Sequence, residues 1–273
     1  MSVFEAVLLP ILGLFVGIAA AMLGIGGGVF VVPALQLLPL SLTFSPQMAA
    51  GTSLGMIVFK ALSSTSGYAK QRRIDYKVGL LLATITLPGA FLGAILTEKI
   101  SKELLIVIFA LFLLYIASRM IFSYGSGTRS SSKPKTGWTR HLTDSDGKVF
   151  KYTTNIKFGV PLSFLAGISS GLLGLGGGAL MVPILHFALS FPMHIAVATS
   201  GFTMIFTSIS AVTTHLYLGN VQFGYTILLS IGVVVGAQIG TRVSKRVSSK
   251  NLKRIFGLIL VIVSIRMFLK LLG

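Results

Sequence analysis

The chain has 273 residues, of which 53% are hydrophobic and 11% charged, with 31 Gly and no Cys. An ordinary soluble domain carries ~25% charged residues, so a soluble enzyme or soluble binding module is excluded, as is a disordered chain; without Cys there are no disulfides, thiolate metal sites or cysteine nucleophiles. The net charge of +17 would suggest nucleic acid in a soluble protein, but here the basic residues lie in loops between long apolar runs, which argues for a multi-pass membrane protein and against a nucleic-acid partner.

Apolar runs of ~20 residues read as bilayer spans. The stretch 4–39 is too long for one helix and is broken by glycines, so it divides into helices near 4–23 and 28–39. Its only charge is Glu5, with no basic n-region, so it reads as part of the fold rather than as a signal peptide. Single helices follow near 47–66, 78–96 and 104–122. The polar segment 123–157 begins as a Gly/Ser-rich linker and then places short alternating runs on either side of Asp146-Gly147, a pattern that favours a small β-hairpin. A second glycine-broken stretch gives helices near 158–173 and 178–190, followed by 193–213, 225–241 and 255–271. The second member of each broken pair is short and reads as a half-helix. The expected fold class is an all-α integral membrane protein, with a first membrane repeat at 1–122, a cytoplasmic connector at 123–157 and a second membrane repeat at 158–273.

The halves repeat. Residues 17–33 align with 167–183 at an offset of 150, with nine of 17 positions identical, too many for chance. Farther on the offset becomes 147: Thr52-Ser53 meets Thr199-Ser200, Gly89 meets Gly236, and Gly93 meets Gly240. Charge suggests how the halves are oriented. Loops 67–77, 123–157 and 242–254 carry +3, +5 and +6, while 97–103 is neutral and 214–224 has no charged residue. Cytoplasmic loops are the basic ones. The basic loop has changed position between repeats, so the halves are expected to be inverted in the membrane, each with five membrane segments and the N-terminus external. The localisation this implies is the cell membrane.

The motif Gly24-Ile-Gly-Gly-Gly28 with Pro33, duplicated as Gly174-Leu-Gly-Gly-Gly178 with Pro183, and the paired Thr52-Ser53 and Thr199-Ser200, resemble the sulfite exporter TauE/SafE family (TSUP) over essentially the full length. The resemblance implies export of a small sulfur-containing anion such as sulfite or an organosulfonate. Substrates differ among members, so it does not fix the molecule.

The residues themselves point to where an anion would sit. Gly24, Gly26, Gly27 and Gly28, and likewise Gly174, Gly176, Gly177 and Gly178, can bring bare amides close to a ligand at the N-terminus of a short helix, which favours anions. The alternative is small-residue helix packing. Lys60 is the one charge well inside an expected span; such a residue is a functional candidate by default, unless it snorkels to the interface. Thr52, Met56 and Lys60 share one helical face, as do Thr199, Thr203 and Thr207. Ser53 and Ser200 could donate further hydrogen bonds to a ligand or return them to their own helices. His186 and His194 could carry a coupled proton or be interfacial groups. All six acids fall at termini, loops or segment ends, so a carboxylate relay is disfavoured. No residue set suggests a metal site, a cofactor or an enzyme. The expected function is alternating-access transport of a small anion; an anion channel or uncoupled uniporter is the alternative.

Overall fold

Apolar sequence at helical length produces nine helices among the described residues, which in this computed structural model are 3–38, 40–97 and 137–272 with isolated positions between 99 and 118. In chain order they are α1 (Val3–Leu23), α2 (Gly28–Leu37), α3 (Pro46–Lys70), α4 (Tyr76–Leu96), α5 (Ile156–Leu173), α6 (Gly178–Pro183), α7 (Met193–Tyr217), α8 (Phe223–Arg246) and α9 (Ser249–Leu272). The helix expected at 104–122 falls largely outside the described residues. Side-chain caps set four of the starts, one of them Ser248, which accepts the Asn251 amide at 3.3 Å before α9. Ser45 accepts the Met48 amide, Asp75 the Val78 amide and Asn155 the Lys157 amide, each at 3.2 Å.

Five of these helices, α1, α4, α5, α7 and α8, are long and apolar enough to cross a membrane. Their outward stripes match a bilayer: Val7, Ile11 and Phe15 on α1, and Ile227, Ile231 and Val235 on α8, recur at every fourth residue and are exposed. The more polar α3 lies inside, its Thr52, Ser53, Lys60 and Ser64 all fully buried.

The halves exchange contacts. Helix α1 packs along α8 and α4 along α5, while α3 lies against α7. Gly232, Gly236 and Gly240 abut the backbone of Pro10, Leu14 and Ile18 in the same order, so α1 and α8 run parallel. Gly89 and Gly93 abut Phe164 and Ile168 in the same way. By contrast, Gly51 at the start of α3 abuts Asn220 beyond the end of α7, and Gly201 near the start of α7 faces Ser64, so α3 and α7 run antiparallel. At each of these crossings an added Cβ would meet the facing helix, most of them its backbone.

The connector carries β1 (Trp138–Thr143) and β2 (Val149–Thr154), an antiparallel hairpin in which Trp138 pairs with Thr154. The hairpin docks on the α3–α4 loop. Arg140 donates twice to the Asp75 carboxylate, at 2.9 and 2.8 Å, and the Tyr152 hydroxyl donates to it at 2.6 Å. Arg73 pairs with Asp144 at 3.0 Å, the Ser145 amide donates to the Gln71 carbonyl, and Lys245 of α8 pairs with Asp146 at 2.6 Å. Burial opposes ionisation of Asp75, but the hydrogen bonds from Arg140, Tyr152 and the Val78 amide outweigh it, so its carboxyl titrates below the usual range. Burial and the neighbouring Asp75 carboxylate push the Tyr152 phenol up, so it stays protonated as the donor.

Candidate substrate site at the crossing of two glycine turns

Helix α1 ends at Gly24 (φ +73°) and α5 at Gly174 (φ +68°), while Gly27 (φ +93°) and Gly177 (φ +73°) precede α2 and α6. These left-handed positions let each chain reverse within three residues, which an L side chain would oppose by roughly 1–2 kcal/mol. The first bonds of the short helices are Phe30 N to Gly27 O at 3.0 Å and Leu180 N to Gly177 O at 3.1 Å. The amides of Gly28, Val29, Gly178 and Ala179 therefore lie before the first bond of their own helix.

The two turns cross in direct contact. Gly26 abuts the Leu175 carbonyl and Gly176, Gly28 abuts the Gly174 carbonyl, and Gly178 abuts the Gly24 carbonyl. Each turn is pinned by a serine of the other half, Ser53 Oγ donating to Gly174 O and Ser200 Oγ to Gly24 O, both at 3.0 Å. One residue earlier the exchange repeats. Thr52 Oγ1 accepts the Gln222 amide and Thr199 Oγ1 the Asp75 amide, both at 3.1 Å. These four hydroxyls link one half to the other rather than bonding within their own helices.

Lys60 is fully buried and reaches no interface; its Nζ donates to the Ile25 carbonyl in the first glycine turn at 2.8 Å. Thr203 and Thr207 lie beside the second turn, where Thr207 Oγ1 bonds to Thr203 O and to Thr86 Oγ1. The structure thus gathers the motif glycines, Ser53, Ser200, Lys60, Thr203 and Thr207 at the crossing. Thr52 and Thr199 lie farther out, at the starts of α8 and α4. His186 Nδ1 bonds to Phe191 O at 2.7 Å, and His194 is buried at the start of α7. Gln238 donates across to Ser63 O at 2.6 Å.

Three further interior residues are not singled out as site candidates by the sequence. Thr86 pairs with Thr207, His215 Nε2 bonds to Gly171 O at 2.9 Å, and Glu5, fully buried, receives Ser41 and the Tyr225 hydroxyl. Only for Glu5 was there a hint, as an isolated acid in an apolar run.

The model of the family described as "Sulfite exporter TauE/SafE" matches residues 9–267. The chain is 31% identical over 261 residues to "Probable membrane transporter protein YunE" of Bacillus subtilis (strain 168), covering 94% of this chain and 95% of that protein. It is 27% identical over 274 residues to "Probable membrane transporter protein MJ0441" of Methanocaldococcus jannaschii, covering 96% and 95%. It is 30% identical over 106 residues to "Sulfite exporter TauE/SafE family protein 5" of Arabidopsis thaliana, covering 39% of this chain and 23% of that protein. No solved structure matches the chain. The match over nearly the whole length, on a helical fold with bilayer-length apolar helices, places the chain in the TauE/SafE sulfite exporter family of membrane transporters.

Proposed function

We propose that the protein exports a small sulfur-containing anion, such as sulfite or an organosulfonate, by alternating access. In this reading the repeats are inverted in the cell membrane, the N-terminus is external, and the hairpin and basic loops are cytoplasmic. The anion is held by amides of the Gly24–Gly28 turn beside the Lys60 ammonium, with the Gly174–Gly178 turn as the facing wall. Non-helical backbone at membrane depth is tolerated where it is buried in protein or lines a cavity, and inverted-repeat transporters place their sites at such broken helices.

The observation that carries the proposal is the reciprocal pinning of the two turns by Ser53 and Ser200. It lies between helices α3 and α7, which correspond in the repeat yet run antiparallel. Rocking one half against the other would part the turns and expose their amides to one side at a time. The test is uptake into proteoliposomes of a panel of sulfur oxyanions and organosulfonates, with and without a pH gradient. Saturable flux with counter-transport is expected. Flux that never saturates and shows no counter-transport would make the protein a channel, and absence of flux for every anion would sink the substrate class.

A further inference from the structure

Helix α7 begins beneath the hairpin, and its first turn has no cap. Pro192 precedes it, no side chain among the described residues accepts its leading amides, and its first bond is Ala196 N to Pro192 O at 2.9 Å. The amides of Met193, His194 and Ile195 therefore lie open to an acceptor at the positive end of a 25-residue helix. The Tyr152 ring of the hairpin roofs this end against Phe191, with centroids 4.5 Å apart, and the Asp75 amide holds Thr199 just beyond it.

Two side chains bring further unmet nitrogens to the same place. His194, in that first turn, is 8% exposed, and its Nδ1 has no hydrogen-bond partner among the described residues. Arg73, 5% exposed, gives Nη2 to Asp144 at 3.0 Å, while its Nε and Nη1 are buried with no partner. Of the charged groups, Arg73 bears most strongly on His194, followed by Lys148 and Asp144. Lys148 places its ammonium over the Phe150 ring at 5.2 Å rather than on a carboxylate. Of these three charges two are positive, so one is unmatched.

Buried polar groups in a native fold are paired, and those that are not mark a missing water or ion. The missing group here has to accept from a guanidinium, an imidazole and helix amides, and to carry negative charge. A water has two lone pairs and no charge, whereas an oxyanion supplies several acceptor oxygens and the charge. Room for it comes from Asp144. That carboxylate is held in its own turn by the Asp146 and Lys148 amides at 2.9 and 3.0 Å, so it leaves with the hairpin tip and vacates an oxyanion-sized space against Arg73.

We propose that the uncapped start of α7, Arg73 and His194 form a second anion site, which takes a small oxyanion in competition with the Asp144 carboxylate. The site is separate from the glycine turns, and rests on the transport reading only for which anion arrives there.

The test is melting of the purified full-length Lys60→Met protein in detergent, as sodium sulfite, sulfate or phosphate replaces sodium chloride at constant ionic strength. That background lacks the ammonium at the glycine turns, so a failed site there does not silence this one. Melting temperature is expected to rise saturably with at least one oxyanion. Adding Arg73→Gln is expected to weaken the apparent affinity at least about tenfold. Adding Asp144→Asn, which keeps an acceptor for the turn amides but removes the competing charge, is expected to tighten it at least about threefold. A response to sulfite alone makes the ligand the anion proposed for transport; a response to sulfate or phosphate makes it an inorganic oxyanion of the same chemistry. Identical curves in every salt, a response seen only when Lys60 is present, or an undiminished response in a folded Arg73→Gln protein overturns the proposal. So does an Asp144→Asn protein that binds no more tightly, and this arm decides if Arg73→Gln does not fold.

Discussion

Lys60 bonds to one backbone carbonyl and to no carboxylate in its hydrogen-bond shell, although a lysine at mid-helix costs ~2.5–3.5 kcal/mol on insertion scales. A residue kept at that cost for its charge shows opposite effects when the charge is removed. Lys60→Met is expected to melt higher than wild type and to lose at least about tenfold in anion transport; wild-type uptake into proteoliposomes would mean the ammonium has no part in transport. Asp75 is different, because its carboxylate is bound by three groups. Its folded pKa is depressed, so its contribution is present above the unfolded value of ~3.9 and is lost as pH falls through the folded one. Asp75→Asn should therefore melt well below wild type at pH 7, by an amount that shrinks as the scans move to pH 3; a constant gap across that range would argue against the ion pair. Lys60 and the motif glycines were legible in the sequence because each is locally anomalous, a charge in a span or glycines that break one. Partners such as Tyr225 for Glu5, Arg140 for Asp75 and Thr86 for Thr207 are 220, 65 and 121 residues away. No local pattern encodes which distant chain will face which.

Among the helices, glycines do two kinds of work, and the space around them tells the two apart. Gly93 and Gly236 let helices touch: a Cβ there would collide with the carbonyl of Ile168 or Leu14. Gly177 is needed for its left-handed backbone, since a Cβ would find its nearest neighbours no closer than 3.4 Å. Gly93→Ala should thus overpack a crossing and lower the melting temperature, a loss of ~1–3 kcal/mol. Gly27→Ala and Gly177→Ala strain only the turns and should still fold, with weakened binding of a confirmed substrate anion. Equal affinity in the folded turn variants would reduce both motifs to packing devices. The spans and breaks were readable because apolar length and glycine clusters are one-dimensional signals. The widened turn Ile184–Ala188 that continues α6 was not. It follows Pro183, which has no N–H to donate to the ladder, and the sequence alone does not say whether a helix bends, stops or widens at such a point.

For the molecule as a whole, the inverted reading predicts sidedness. Cysteines introduced singly at the exposed Ser66, Gly219 and Ser248, in a chain that has none of its own, should label from the inside, the outside and the inside. Labelling of 66 and 219 from the same side would remove the inversion. The hairpin gives this scheme a bias. It ties Asp75 and Arg73, before α4, to Asp146's partner Lys245 on α8, and so spans both repeats at one end of the molecule. The repeat counterpart of Asp75 is Gln222, whose amide bonds to Thr52 as that of Asp75 bonds to Thr199, but whose side chain is no carboxylate for an arginine such as Arg140 to bind. A machine built from two matched halves would otherwise idle equally in either direction. If the halves rock as proposed, this unequal fastening makes one doorway harder to unlock than the other, and a shift from even odds to 99:1 needs only ~2.7 kcal/mol. On that reading, the short ribbon sets the side on which the transporter waits.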